Sequence, residues 1–190
     1  MVFESSIESL RVLITHFPSC ERCLMVLGMS LPAFTVLHVI ISIVELLAGI
    51  VVVLQLLAGN RSALTGLFLI TAALTTLTGF LFPFHGMTPG IMLGFISLPF
   101  MLLAAVALYT GKARGVWRPV YVISTLIVLY LDAFVAVVQS FEKIGPLHAL
   151  APTGKEAPFM VVQGIMLLVF IAAGYLALKR FRPAIAIAAD

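Results

Sequence analysis

Apolar residues in this chain come in long unbroken blocks, without the alternation of a half-buried strand or the narrow stripe of a water-soluble helix. Five blocks stand out: 34–57, 63–81, 89–109, 119–140 and 158–178. Each is close to the length of about 20 residues that crosses a hydrocarbon core about 30 Å thick at about 1.5 Å per helical residue. The pattern predicts an all-α fold, a polytopic transmembrane helical bundle with five spanning helices.

Helix-start chemistry falls on the same boundaries. Ser62 precedes the second block, and Thr88 precedes the third with Pro89 in its first turn. Pro119 and Pro158 open the fourth and fifth, where a missing N–H is harmless. The second block stops before Pro83, and residues 82–86 read as a tight hairpin loop. Connections are short except for 141–157.

Composition places the chain in the membrane class. It is 62% hydrophobic and 10% charged, with mean hydropathy +1.20, against about 45–50% apolar and about 25% charged in soluble domains. The net charge of +3 does not point to nucleic acid, because the basic residues flank apolar blocks. With five crossings the termini lie on opposite sides. One side carries Arg61, Lys112, Arg114, Arg118, Lys179, Arg180 and Arg182; the other carries Lys143, Lys155, Arg11 and Arg22. Retention of basic loops in the cytoplasm then predicts an external N-terminus and a cytoplasmic C-terminus. Trp117 and Tyr121, beside Arg118, read as interfacial anchors on the inner surface.

The expected organisation is an N-terminal segment (1–30), a five-helix bundle (31–182) and a C-terminal tail (183–190). Residues 1–28 are mixed in polarity and support two readings. Ser5 and Glu8 have capping-box spacing, and Ile7, Leu10, Ile14 and Phe17 share a helical face, so an amphipathic surface helix is one. The other takes Met29 as the true start. No secretory-signal pattern is evident there. The only cysteines, Cys20 and Cys23, form a lone C-x-x-C, a weak metal or redox signal.

Ionisable groups inside a bilayer are the best chemical clue, since a carboxylate at mid-depth costs about 2.5–3.5 kcal/mol on insertion scales. Glu45 sits near the middle of the first helix and Asp132 near the middle of the fourth. His38, Ser42 and Glu45 share one face of the first helix, and Asp132 and Gln139 share one of the fourth. These faces are expected to turn toward each other or toward water. With the C-terminus inside, His38, Asp132, Gln139, Gln163, Thr75, Thr76 and Thr78 fall in the outer half of the membrane, predicting an outward-opening polar cavity. The alternative reading of every one of these groups is interhelical hydrogen bonding without activity, worth about 0.6–2 kcal/mol each.

His38, His85 and His148 are the possible metal or haem ligands, but no ligand spacing joins them and only His38 lies within a span, so no cofactor is predicted. In the third helix, Gly90 and Gly94 permit close helix approach, and Pro99 frees the Phe95 carbonyl, which is a hinge or simple packing. Phosphate-loop, H-E-x-x-H and G-x-S-x-G motifs are absent, which argues against an enzyme. The size and hydropathy of residues 30–182 resemble those of small bacterial inner-membrane proteins with four or five helices. That resemblance implies a multi-pass location in the inner membrane. Three functions follow: proton-linked or small-solute transport, a scaffold subunit of a membrane complex, and a redox or metal-binding membrane protein. The implied partners are the lipid bilayer and a second copy or another membrane protein, with no nucleic acid.

Overall fold

A computed structural model of the protein describes residues 25–83 and 89–182. They are almost wholly helical. A two-stranded antiparallel hairpin, β1 (Met25–Val26) and β2 (Met29–Ser30), precedes α1 (Leu31–Leu57). There follow α2 (Thr65–Phe80), α3 (Pro89–Tyr109), α4 (Trp117–Lys143), α5 (Gly145–Leu150) and α6 (Ala157–Arg180). The chain divides into two compact units, Met1–Val39 and Ile40–Asp190, with the boundary inside α1.

In the first unit the turn at Leu27 and Gly28 has positive φ at both residues, 52° and 79°. Gly28 accepts this conformation without strain, whereas Leu27 bears a Cβ penalty. Residues 25–28 are thus strand and turn. The residues that carry the amphipathic-helix reading, Ser5 and Glu8 among them, and the pair Cys20 and Cys23 lie outside the described residues.

Four helices, α1, most of α3, α4 and α6, are long and apolar enough to cross a membrane. At 16 residues α2 is shorter, about 24 Å at the helical rise. It begins at Thr65 and not at Ala63, because Ser62 Oγ accepts the Leu64 N–H at 3.1 Å and holds 62–64 as a turn. Helices α1, α4 and α6 instead extend past the predicted ends, into Pro32, Lys143 and Arg180, since backbone hydrogen bonds continue where hydropathy stops. Pro119 accordingly sits in the first turn of α4 and does not start it. The long connection contains α5, with Pro146 in its first turn.

In the second unit α4 is the central element, packing against α3, α5 and α6, while α2 packs on α3. The part of α1 in this unit turns one stripe inward: Glu45, Ala48, Gly49, Val52 and Leu56 are buried at helical spacing. Its other side exposes Leu47, Ile50 and Leu54, and α6 exposes Leu168 to 67%. Apolar surface on this scale fits lipid and not water as the surrounding medium.

Candidate functional site

One end of the second unit gathers the α1–α2 turn, the α3–α4 turn and the end of α6. The Arg118 guanidinium at the start of α4 donates to the Leu178 and Phe181 carbonyls. These are among the acceptors that a helix C-terminus leaves unsatisfied, and a cation also suits the negative end of the helix dipole. Arg180 Nη1 approaches the Leu57 carbonyl, and the Arg182 N–H approaches the Gly59 carbonyl, each at 3.5 Å. Tyr121 OH lies 3.0 Å from Thr65 Oγ1, and its ring packs against Phe181 at 5.8 Å. Tyr121 is completely enclosed, so it is an interior residue and not an interfacial anchor; Trp117, packed over Gly111, stays 36% exposed.

All seven basic residues assigned by sequence to one side belong to these segments. The neighbouring half of the unit is densely packed, with Val52, Leu56, Phe68, Ala104, Ala107, Val122, Leu126 and Ala177 buried. Toward the opposite end packing loosens. Residues 130–140 of α4 are all half-exposed, and ring pairs pack there: Phe141 with Phe159 at 5.4 Å and Phe80 with Phe95 at 4.8 Å.

Midway between the ends, three helices bring oxygen atoms together. Glu45 on α1 is only 2% exposed. Its carboxyl lies within electrostatic reach of the Asp132 carboxyl on α4 and beside the Thr75 hydroxyl on α2. Local packing explains the approach. At Gly49, one turn along α1 from Glu45, an added Cβ would stand 2.4 Å from Leu129 Cδ1 and 2.9 Å from Phe68 Cε2, so side chains of α4 and α2 rest against α1 in space that a side chain here would take. Leu129 precedes Asp132 by three residues on α4, which puts the two carboxyls at similar depth.

Glu45 Oε2, Asp132 Oδ2 and Thr75 Oγ1 are buried atoms with no hydrogen-bond partner. The Thr75 hydroxyl is near enough to act on the Glu45 carboxyl, although the two fall short of full hydrogen-bond geometry. Buried polar atoms are normally satisfied, and each exception carries a desolvation penalty of about 1–3 kcal/mol. The unsatisfied atoms here come from two acids and one hydroxyl.

The other candidates are dispersed. Gln163 donates to the Phe134 carbonyl at 3.3 Å, an α6–α4 tie that leaves its Oε1 unpaired. Gln139 is 3.4 Å from Glu142 of its own helix, toward the loosely packed end. Ser42 is half-buried one turn from Glu45, and His38, also half-buried, belongs to the first unit. His148 is exposed on α5; His85 and Thr88 lie outside the described residues. Among the described residues no three His, Cys, Asp or Glu side chains are arranged to hold a metal ion. Gly94 allows α3 to meet Phe80 of α2, since a Cβ there would stand 2.9 Å from the ring, whereas Gly90 is exposed. Helix α3 continues through Pro99.

Sequence reasoning missed the partnership of Thr75 with Glu45, because threonines are common in spanning helices. It also missed the Arg118 cap, because positive loop residues read first as topology signals. Thr125, completely enclosed with an unpaired Oγ1 two turns below Asp132, gave no signal at all. Comparison of the chain with protein-family models, curated proteins and solved structures gives no match in any of the three.

Proposed function

We propose that this chain is a multi-pass inner-membrane protein that carries protons, or a small solute linked to protons, by way of Glu45 and Asp132. The observation that carries the reading is the pair of carboxyls from different helices, enclosed near mid-bundle with unsatisfied oxygens. Carboxyls facing each other across two spanning helices are the kind of group at which a membrane protein can take up and pass on a positive charge. The loosely packed end supplies the route of access, and the densely packed basic end is the barrier.

In this reading α1, α2, α3, α4 and α6 cross the bilayer, α2 by local thinning and with help from the apolar residues beside it. Seven basic residues at one end favour a cytoplasmic location for that end and an outward-facing polar cavity above the carboxyls. The test is a proton flux. In liposomes loaded with a pH-sensitive dye, an imposed pH gradient should dissipate faster with the wild-type protein than with Glu45→Gln or Asp132→Asn, at equal protein incorporation. Equal rates for all three would refute it.

A second reading, a scaffold subunit, is favoured by the Gln163–Phe134 tie, in which a buried amide serves packing alone. The two acid substitutions would then change membrane yield and oligomer size in detergent while leaving the flux at the background rate.

A further inference from the structure

We infer that the exposed face of α6 that ends in Lys179 seats one anionic phospholipid of the adjoining leaflet, with its phosphate on the Lys179 ammonium and its acyl chains along Ile171 and Leu168. The inference goes beyond the transport reading and does not rest on it. Leu168, Ile171, Tyr175 and Lys179 recur at helical spacing and all four are exposed, so one apolar strip of α6 runs up to a single cation. Apolar helix surface against lipid is ordinary; the position of the charge at its end is not.

A lysine near the end of a spanning helix normally extends its ammonium outward to the polar interface. Lys179 turns the other way. Its Nζ lies 4.4 Å from the centre of the Tyr175 ring, one turn back along α6 toward the apolar strip. The ring face attracts the cation and cancels none of its charge. The segments gathered at this end, 57–65, 109–119 and 175–182, hold seven Lys and Arg and no Asp or Glu. They are tied to one another: Arg118 to the Leu178 and Phe181 carbonyls, Arg180 and Arg182 to the α1–α2 turn. Those ties go to backbone carbonyls, which carry dipoles and no net charge, so the positive field at this end remains.

An anionic lipid complements each feature. Its phosphate meets the ammonium at the depth where Tyr175 holds it, and its chains cover the strip beyond. A zwitterionic headgroup brings a cation of its own into the positive field, and a free phosphate ion leaves the strip uncovered.

The experiment is thermal melting of the purified full-length chain in detergent at about 0.15 M salt, where exposed charges more than about 8 Å apart are largely screened. Dioctanoyl phosphatidylglycerol should raise the melting temperature in a saturable way. Dioctanoyl phosphatidylcholine should do so clearly less, and sodium phosphate not at all. Lys179→Gln should weaken the apparent affinity for phosphatidylglycerol about fivefold, the effect of one cation near a lipid surface, while Lys179→Arg keeps most of it. Lys112→Gln removes an equal charge from the α3–α4 turn and should weaken it less than about twofold.

Equal stabilisation by phosphatidylcholine overturns the proposal, because the strip then holds any lipid. Stabilisation by sodium phosphate at the affinity of the lipid overturns it in favour of a soluble anion. Equal losses in Lys179→Gln and Lys112→Gln overturn it in favour of diffuse attraction to the whole basic end. No stabilisation by either lipid overturns it outright. Lys179 is exposed, so its variants should fold, and the wild-type lipid series decides without them if they do not.

Discussion

The buried pair Thr65–Tyr121 makes an unequal prediction for its two halves. Thr65 Oγ1 lies 2.9 Å from the Ser62 carbonyl and 3.0 Å from Tyr121 OH. The carbonyl can only accept, so the threonine proton goes to Ser62 and the phenol donates to Thr65. Tyr121→Phe then removes a donor and leaves Thr65 still bonded to Ser62, at a cost of about 0.5–1 kcal/mol. Thr65→Val removes the acceptor and strands a phenol O–H that is wholly enclosed, at about 1–3 kcal/mol, and also deletes the bond to Ser62. The double variant no longer has the stranded group, so it should be more stable than the sum of the single effects implies, by about 0.6–1.7 kcal/mol. Thr65→Ser keeps the hydroxyl and should stay near wild type. Unfolding in a denaturing detergent, followed by circular dichroism, gives all four values. If Thr65→Val is no worse than Tyr121→Phe, or if the single effects simply add, the assigned direction of the hydrogen bond is wrong.

Gly49→Ala should destabilise by about 1–3 kcal/mol through overpacking against Leu129 and Phe68, and Leu129→Ala in the same chain should relieve part of that loss; additive melting shifts would contradict the contact. Arg118→Met should lower stability by about 1.5–3 kcal/mol and speed amide exchange in the last turn of α6, with Arg118→Lys intermediate because it keeps the charge and loses the fork. Unchanged exchange at 178–181 in the methionine variant would mean that the cap is dispensable. At Glu156, slight desolvation works to raise the pKa but is outweighed by the Thr153 hydroxyl and the backbone N–H groups of Glu156, Thr153 and Lys155, so the net direction is downward. A carboxyl lowered in the folded state stabilises it above the unfolded value and ceases to do so as pH falls through the folded value. Protection of amides at 153–157 should therefore fall in acid below the ordinary carboxylate range, while Glu156→Gln should show no such step.

The helices were legible because blocks of uncharged residues of membrane-crossing length have few other structural uses. Their ends were less so. Lys143 and Arg180 look like loop residues by polarity, yet each is the last residue of its helix, and Ser62 acts three residues before a helix instead of as its immediate cap. Spacing along one helix put Glu45 on a polar face and Asp132 on another, but which helices lie side by side is decided elsewhere. One of the contacts involved is at Gly49, whose lack of a Cβ is visible in the sequence while the identity of its neighbours is not. Tyr121 was misread for a related reason. An aromatic next to Arg118 at a helix end is as well placed for a membrane surface as for the interior, and only Thr65, 56 residues away, makes it an interior residue.

The directional bonds at the basic end and the ring contacts at the other give the bundle uneven mechanics. Guanidinium-to-carbonyl and phenol-to-hydroxyl bonds fix both distance and angle, whereas stacked rings slide with little penalty. Near Arg118 the spacing and the mutual rotation of α4 and α6 are both fixed, whereas farther along the same two helices one amide-to-carbonyl bond from Gln163 and the ring pairs constrain spacing more than angle. Asp132 stands between the two regimes, one turn past Leu129 where the mostly buried stretch of α4 ends.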